Sequence, residues 1–141
     1  MPRYRARIPS PWDPDRAFAY MADFSNAAEW DPGVVRASTV TGDGLEPGAA
    51  FDLVVATAGR EMRLRYVVTQ REPRRITLRA LTRLIDSEDT ITVTPDAGGS
   101  VVEYDARLTL RGPARLLNPL LGPMFNRTGR RAHDSLARRL A

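Results

Sequence analysis

The chain has 141 residues, of which 43% are hydrophobic and 27% charged, and it carries a net charge of +4. That length and balance suit one folded domain around one core, not a disordered segment. Cysteine and lysine are absent and His133 is the only histidine, which excludes thiol nucleophiles, disulfides, thiolate metal sites, Schiff-base lysines and a multi-histidine metal centre within one chain.

What remains is carboxylate, tyrosine and arginine chemistry, or binding without chemistry. All 21 basic residues are arginine, and they are unevenly placed. Residues 1–106 hold 13 arginines against 16 acids, a net of −3; residues 107–141 hold 8 arginines against Asp134 alone, a net of +7. The N-terminus, Met1 to Arg7, is charged, and no apolar run of signal-peptide or membrane-spanning length follows. A cytoplasmic protein is the expectation.

Residues 3–8 predict a first strand, stopped by Pro9 and Pro11. Asp13-Pro14-Asp15 then marks a helix start: an aspartate cap, a proline at the first helical position and an acid at the positive dipole end. That helix runs to about Met21. A second short helix is expected over 26–29, ended by Asp31-Pro32-Gly33.

From Val34 to Leu110 the pattern has the period of strands. Expected strands cover 34–40, 50–56, 61–71, 75–82, 85–94 and 101–110, joined by short polar turns. Inward faces follow from the alternation. They carry Phe51, Leu53 and Val55; Met62, Leu64, Tyr66 and Val68; Ile76, Leu78 and Ala80; Ser87, Asp89, Ile91 and Val93; and Val102, Tyr104, Ala106, Leu108 and Leu110. Short connections predict an antiparallel meander covered on one face only.

The tail is helical, with Pro119 and Pro123 interrupting its early part. Met124, Thr128, Ala132, Leu136 and Leu140 recur at four-residue steps, with Arg127, Arg130, Arg131, Arg138 and Arg139 on the other sides. This predicts an amphipathic helix that covers the sheet.

One strand, two small helices, six strands and a long helix predict an α+β fold. A curved seven-stranded antiparallel sheet wraps around a long C-terminal helix, with two short helices between strands 1 and 2. Such a sheet leaves a cavity between its concave face and the helix. The expected lining is Trp30, Phe51, Leu53, Met62, Leu64, Tyr66, Leu78, Asp89, Ile91, Tyr104, Leu108, Met124 and Phe125.

Several segments carry a family resemblance. They are Asp23-Phe24-Ser25-Asn26 with Glu29-Trp30-Asp31-Pro32-Gly33-Val34, Arg71-Glu72-Pro73-Arg74-Arg75-Ile76, and Asp89-Thr90-Ile91-Thr92-Val93-Thr94-Pro95 with Gly98-Gly99. Leu110-Arg111-Gly112-Pro113 with Asn118-Pro119-Leu120-Leu121 completes the set. In order and spacing the chain resembles the SRPBCC superfamily (START-like, helix-grip), in its polyketide cyclase/dehydrase and lipid-transport group. The resemblance spans nearly the whole chain and implies one START-like domain over 1–141 with a pocket for a hydrophobic ligand. It implies no single reaction, because that superfamily includes aromatases, carriers and receptors.

Each candidate residue has two readings. Trp30 either stacks on a ligand at the pocket rim or anchors the second helix in the core. Asp89 either faces the pocket, where desolvation would raise its pKa and fit it for general acid or base work, or pairs with an arginine or water at the surface. A one-residue slip would exchange it for Glu88. Tyr66 and Tyr104 either offer a hydroxyl to a ligand or fill the core with one satisfied hydrogen bond. His133 reads as a boundary residue whose neighbour Asp134 points elsewhere on the helix.

Three functions remain open. The first is a protein that binds a lipid, isoprenoid or polyketide-like ligand. The second is a cyclase, aromatase or dehydratase in which Asp89, Tyr66 or Tyr104 moves the proton. The third is a module that contacts an anionic surface through Arg127, Arg130, Arg131, Arg138 and Arg139. No cofactor, no metal and no specific nucleic acid are expected.

Overall fold

The computed structural model describes residues 3–41, 46–57, 59–117 and 130–141. Seven antiparallel strands form one sheet in the order β1-β7-β6-β5-β4-β3-β2. They are β1 (Arg3–Ser10), β2 (Val34–Thr41), β3 (Ala50–Thr57), β4 (Arg60–Glu72), β5 (Arg75–Leu81), β6 (Ile85–Asp96) and β7 (Gly99–Leu110). Apart from the β1–β7 pairing, every neighbour in the sheet is a neighbour in sequence, the meander that the short turns predict. Two small helices, α1 (Pro14–Ala22) and α2 (Ala27–Trp30), lie between β1 and β2. The stretch Phe24–Asn26 between them, expected as a break, is a 3-10 turn.

Asp13 caps α1: its carboxylate accepts from the Asp15 and Arg16 amides at 3.0 and 3.3 Å. The helix buries Ala17, Phe18, Met21 and Ala22 and packs against β6 and β7. Strand alternation sorts side chains as the period requires. On β6, Ile85, Ser87, Asp89, Ile91 and Val93 are buried, and the residues between them are not.

Local irregularities interrupt the strand pattern, in β2–β3 as well as β4–β5. A bulge between Val68 and Gln70 breaks the β4–β5 register. Beyond it the parity reverses, so Arg71 pairs across from the buried Ile76 and lays its guanidinium over the Phe18 ring, 4.7 Å from the centroid. At the β6–β7 turn, Gly99 takes φ 143°, and a Cβ there would lie 2.4 Å from the Ser10 carbonyl oxygen. Only glycine fits that approach.

The C-terminal helix, α3, covers residues 130–139 among those described. Ala132, Leu136 and Leu140 are buried, the described part of the expected stripe. Ser10 Oγ ties this end down by donating to the Leu140 carbonyl at 2.6 Å and accepting from the Trp12 amide at 3.1 Å. Met124, Phe125, Arg127, Thr128 and the two prolines expected to interrupt the tail lie outside the described residues. His133 and Asp134 differ from the sequence reading: their side chains reach each other, with Nδ1 to Oδ1 3.6 Å. Among the described residues no helix is long and apolar enough to cross a membrane.

Candidate functional site

A cavity of about 170 Å³ opens between the sheet and the α2 segment. Its walls are Phe24, Ala27, Trp30 and Asp31 from the helical insert, Gly33 and Val34 at the start of β2, and Leu53, Val55 and Ala56 of β3. Leu64 and Tyr66 of β4, Ser87 and Asp89 of β6, and Tyr104, Ala106 and Leu108 of β7 complete it. Phe24, Trp30, Leu53, Leu64, Tyr66, Ser87, Asp89 and Tyr104 are buried, whereas Ala56 is exposed and Asp31, Gly33, Val55 and Leu108 are half-buried. The second group forms the mouth and the first the floor.

The floor is apolar with a few polar tips, and each tip has a defined setting. Asp89, 5% exposed, accepts at Oδ2 from the Tyr104 hydroxyl at 2.7 Å. Burial pushes its carboxyl up to about 7; the Tyr104 hydrogen bond pulls against this, and the charges of Asp31, Asp105 and Glu88 add to it. The carboxyl is therefore divided between its acid and base forms near neutral pH. Tyr66 and Ser87 share a hydroxyl–hydroxyl hydrogen bond of 2.8 Å. Burial and the Asp89 charge push both tyrosine phenols well above their ordinary value.

Asp31 comes from the turn after α2, where its Oδ1 accepts from the Gly33 amide at 2.9 Å. Burial raises its pKa, and the Gly33 amide opposes the rise. Trp30, 2% exposed, packs edge-on against Tyr104 with ring centroids 5.3 Å apart. Its indole Nε1 is buried and has no hydrogen-bond partner among the described residues. A buried donor without an acceptor costs about 1–3 kcal/mol, so this nitrogen is a ready contact for a ligand acceptor or a water.

The structure brings seven of the expected lining residues to one cavity: Trp30, Leu53, Leu64, Tyr66, Asp89, Tyr104 and Leu108. Trp30 anchors α2 in the core and lines the cavity from its floor, not from the rim where the sequence reading set it. The register holds Asp89 inward, opposite Ala106 on β7, while Glu88 opposes Arg107. Phe51, Leu78 and Ile91 do not line the cavity; they are fully buried. Met62 is partly buried against the same core. These four share the inward face, but the cavity occupies only part of it. Met124 and Phe125 lie outside the described residues.

Sequence reasoning passed over Phe24, Asp31 and Ser87 as site residues. Ser87 shares the alternating face of Asp89 and was findable from that. Asp31 lines the cavity from a turn in which it accepts from the Gly33 amide, and nothing in the strand pattern signals that.

A larger groove, about 480 Å³, crosses the outer sheet face between Arg5, Arg7, Arg75 and Glu103. Ion pairs span that face, among them Arg3–Asp105 at 2.6 Å and Arg7–Glu103 at 3.6 Å. Those side chains are solvated, unlike the enclosed polar tips of the cavity. On α3, Arg130, Arg131, Arg138 and Arg139 are exposed, with Arg139 donating to the Glu29 carbonyl at 3.4 Å; Arg127 lies outside the described residues. Among the described residues no cluster of acids and histidine could hold a metal ion.

Comparison with solved structures places this geometry in a known fold. A Thermus thermophilus protein superposes with a TM-score of 0.78 at 18% identity, covering 99% of this chain and 97% of that one. A START superfamily protein from Mycobacterium smegmatis gives 0.76 at 14% identity, covering 98% and 94%. The Zhui aromatase/cyclase of Streptomyces sp. R1128 gives 0.77 at 12% identity, covering 98% and 92%. No curated protein matches the sequence. The family model for polyketide cyclase / dehydrase and lipid transport matches residues 1–141. The chain therefore belongs to the polyketide cyclase / dehydrase and lipid transport family, with the START-like helix-grip fold.

Proposed function

We propose that this protein binds a small hydrophobic or aromatic ligand in the cavity between the sheet and the helical insert. The observation that carries the reading is an apolar enclosure whose buried Trp30 Nε1 has no partner among the described residues. Its 170 Å³ is close to the roughly 150 Å³ that suffices for benzene. A single ring or a compact branched chain fits this volume, and a full-length lipid does not. A ring that removes roughly 150 Å² from water gains about 4 kcal/mol at 25 cal/mol per Å², an affinity near about 1 mM. Tighter binding must come from the polar tips.

A panel of one-ring and isoprenoid-sized compounds at millimolar concentration tests this by thermal unfolding. Some members are expected to raise the melting temperature, and Leu64→Trp, which fills the cavity, to abolish the rise. No shift with any member would overturn the reading.

A second reading has its own observation. Asp89 is divided between acid and base forms near pH 7 and is held by Tyr104 at 2.7 Å, as a general acid or base requires. In a cyclase or dehydratase, Asp89 would move the proton while Tyr104 fixes its orientation, and the cavity would position the substrate. Turnover of a ligand found by the panel, lost in Asp89→Asn, is the expected result for an enzyme. Turnover unchanged by that substitution would remove Asp89 from the role.

A further inference from the structure

We infer that the cavity selects ligands bearing a protonated amine beside an aromatic or compact apolar body. The inference rests on the cavity being a ligand site and names the class of ligand that site takes. Four aromatic residues, Phe24, Trp30, Tyr66 and Tyr104, line it together with two carboxyls, Asp31 and Asp89. No arginine or histidine stands among its described lining residues.

That combination discriminates by charge. An ammonium entering an apolar enclosure needs a counter-charge and hydrogen-bond acceptors. Asp31 and Asp89 supply both, since only one oxygen of each accepts a hydrogen bond from the protein among the described residues. Aromatic faces within about 6 Å of a cation add attraction of roughly 0.5–2 kcal/mol. A carboxylate ligand would meet two acids with no compensating cation. A neutral ligand gains the apolar burial and nothing from the acids. The indole N–H of Trp30, unpartnered among the described residues, adds one donor, so an acceptor such as a hydroxyl next to the amine completes the match.

The groups facing Asp89 bear out the sign. Tyr104 donates to it from β7, Tyr66 of β4 and Asp31 of the α2 turn share the cavity, and the charges felt there from Asp31, Asp105 and Glu88 are all negative. A bound ammonium relieves that repulsion and draws Asp89 to its ionised form. Amine affinity therefore rises with pH up to the free carboxyl's value of about 7 and levels off above it, about tenfold in all between pH 6 and pH 8.

Three probes of one shape test this by calorimetry: 2-phenylethylamine, n-propylbenzene and phenylacetate. The amine is expected to bind at least about tenfold more tightly than the other two at pH 8. It should lose about tenfold by pH 6, while n-propylbenzene stays flat. Asp89→Asn, checked for folding by circular dichroism, should remove most of the preference and the tenfold pH dependence. Equal or tighter binding of n-propylbenzene or phenylacetate would overturn the amine inference and leave the cavity as a ligand site. Binding of none of the three would overturn both.

Discussion

Replacing Asp89 by asparagine keeps the shape and the carbonyl that accepts from Tyr104 but removes the ionisable group. In the folded protein this carboxyl holds its proton to about pH 7, against an ordinary value of 3.8. Between those two values the folded state binds more protons than the unfolded state, so stability falls as pH rises. A gap of about three pH units, at about 1.4 kcal/mol each, gives about 4 kcal/mol as the upper bound on what ionisation costs above pH 8. Water entering at the half-buried mouth reduces the figure, and the asparagine amide adds two donors, so about 2–3 kcal/mol is expected. Asp52, Asp86 and Asp105 work in the opposite sense: their arginine partners hold them below the ordinary value, so their contribution is lost only as pH falls below about 4. Asp52 and Asp86 are common to both proteins and cancel in the difference; Asp31 and Asp105, whose charges act on Asp89, cancel only in part. Urea unfolding of wild type and Asp89→Asn at pH 5, 6, 7 and 8 is the assay. The stability of the variant relative to wild type should rise by about 1–2 kcal/mol from pH 5 to pH 8, the part of that total which falls within this range. Parallel stability curves across that range would refute the placement of Asp89 in a desolvated site.

Other substitutions probe the frame that positions the cavity. Gly99→Ala sets a Cβ against the Ser10 carbonyl at 2.4 Å in a backbone conformation with φ 143°, and a loss of about 3 kcal/mol is expected in chemical unfolding. Ser10→Ala leaves the Leu140 carbonyl without its 2.6 Å donor; a loss of about 1–3 kcal/mol is expected, with faster amide exchange in α3 as the specific readout. By contrast, Arg3→Ala removes a solvent-screened salt bridge of 2.6 Å, and chemical unfolding should register little or no loss.

Much of this molecule was legible in its sequence because strands declare themselves by alternation. The inward set Ser87, Asp89, Ile91 and Val93 follows from period two alone, and α1 is announced by the Asp13-Pro14 start. The resemblance carried by Glu29-Trp30-Asp31-Pro32-Gly33-Val34 and the later motifs led to the same fold. Features set by a single local contact were not legible. The bulge after Val68 reverses the parity of β4 and sends Arg71 onto Phe18, which alternation cannot anticipate. Asp31 joins the cavity from a turn after α2, outside the strand pattern. Nor does facing inward distinguish a cavity wall from filled core: Leu78 and Ile91 share a face with Asp89, yet they are packed on all sides.

The central claim is that the cavity beside Trp30 takes a ligand, and the indole N–H of that residue reads it directly. The chain has two tryptophans, Trp12 and Trp30, so its indole region should hold two N–H resonances in a proton–nitrogen NMR spectrum, assigned by Trp12→Phe. Titration with a one-ring ligand from the thermal panel should move the Trp30 resonance and the β6 and β7 amides around Asp89 and Tyr104, and leave Trp12 in place. A ligand that raises the melting temperature while leaving the Trp30 resonance unmoved would contradict the account.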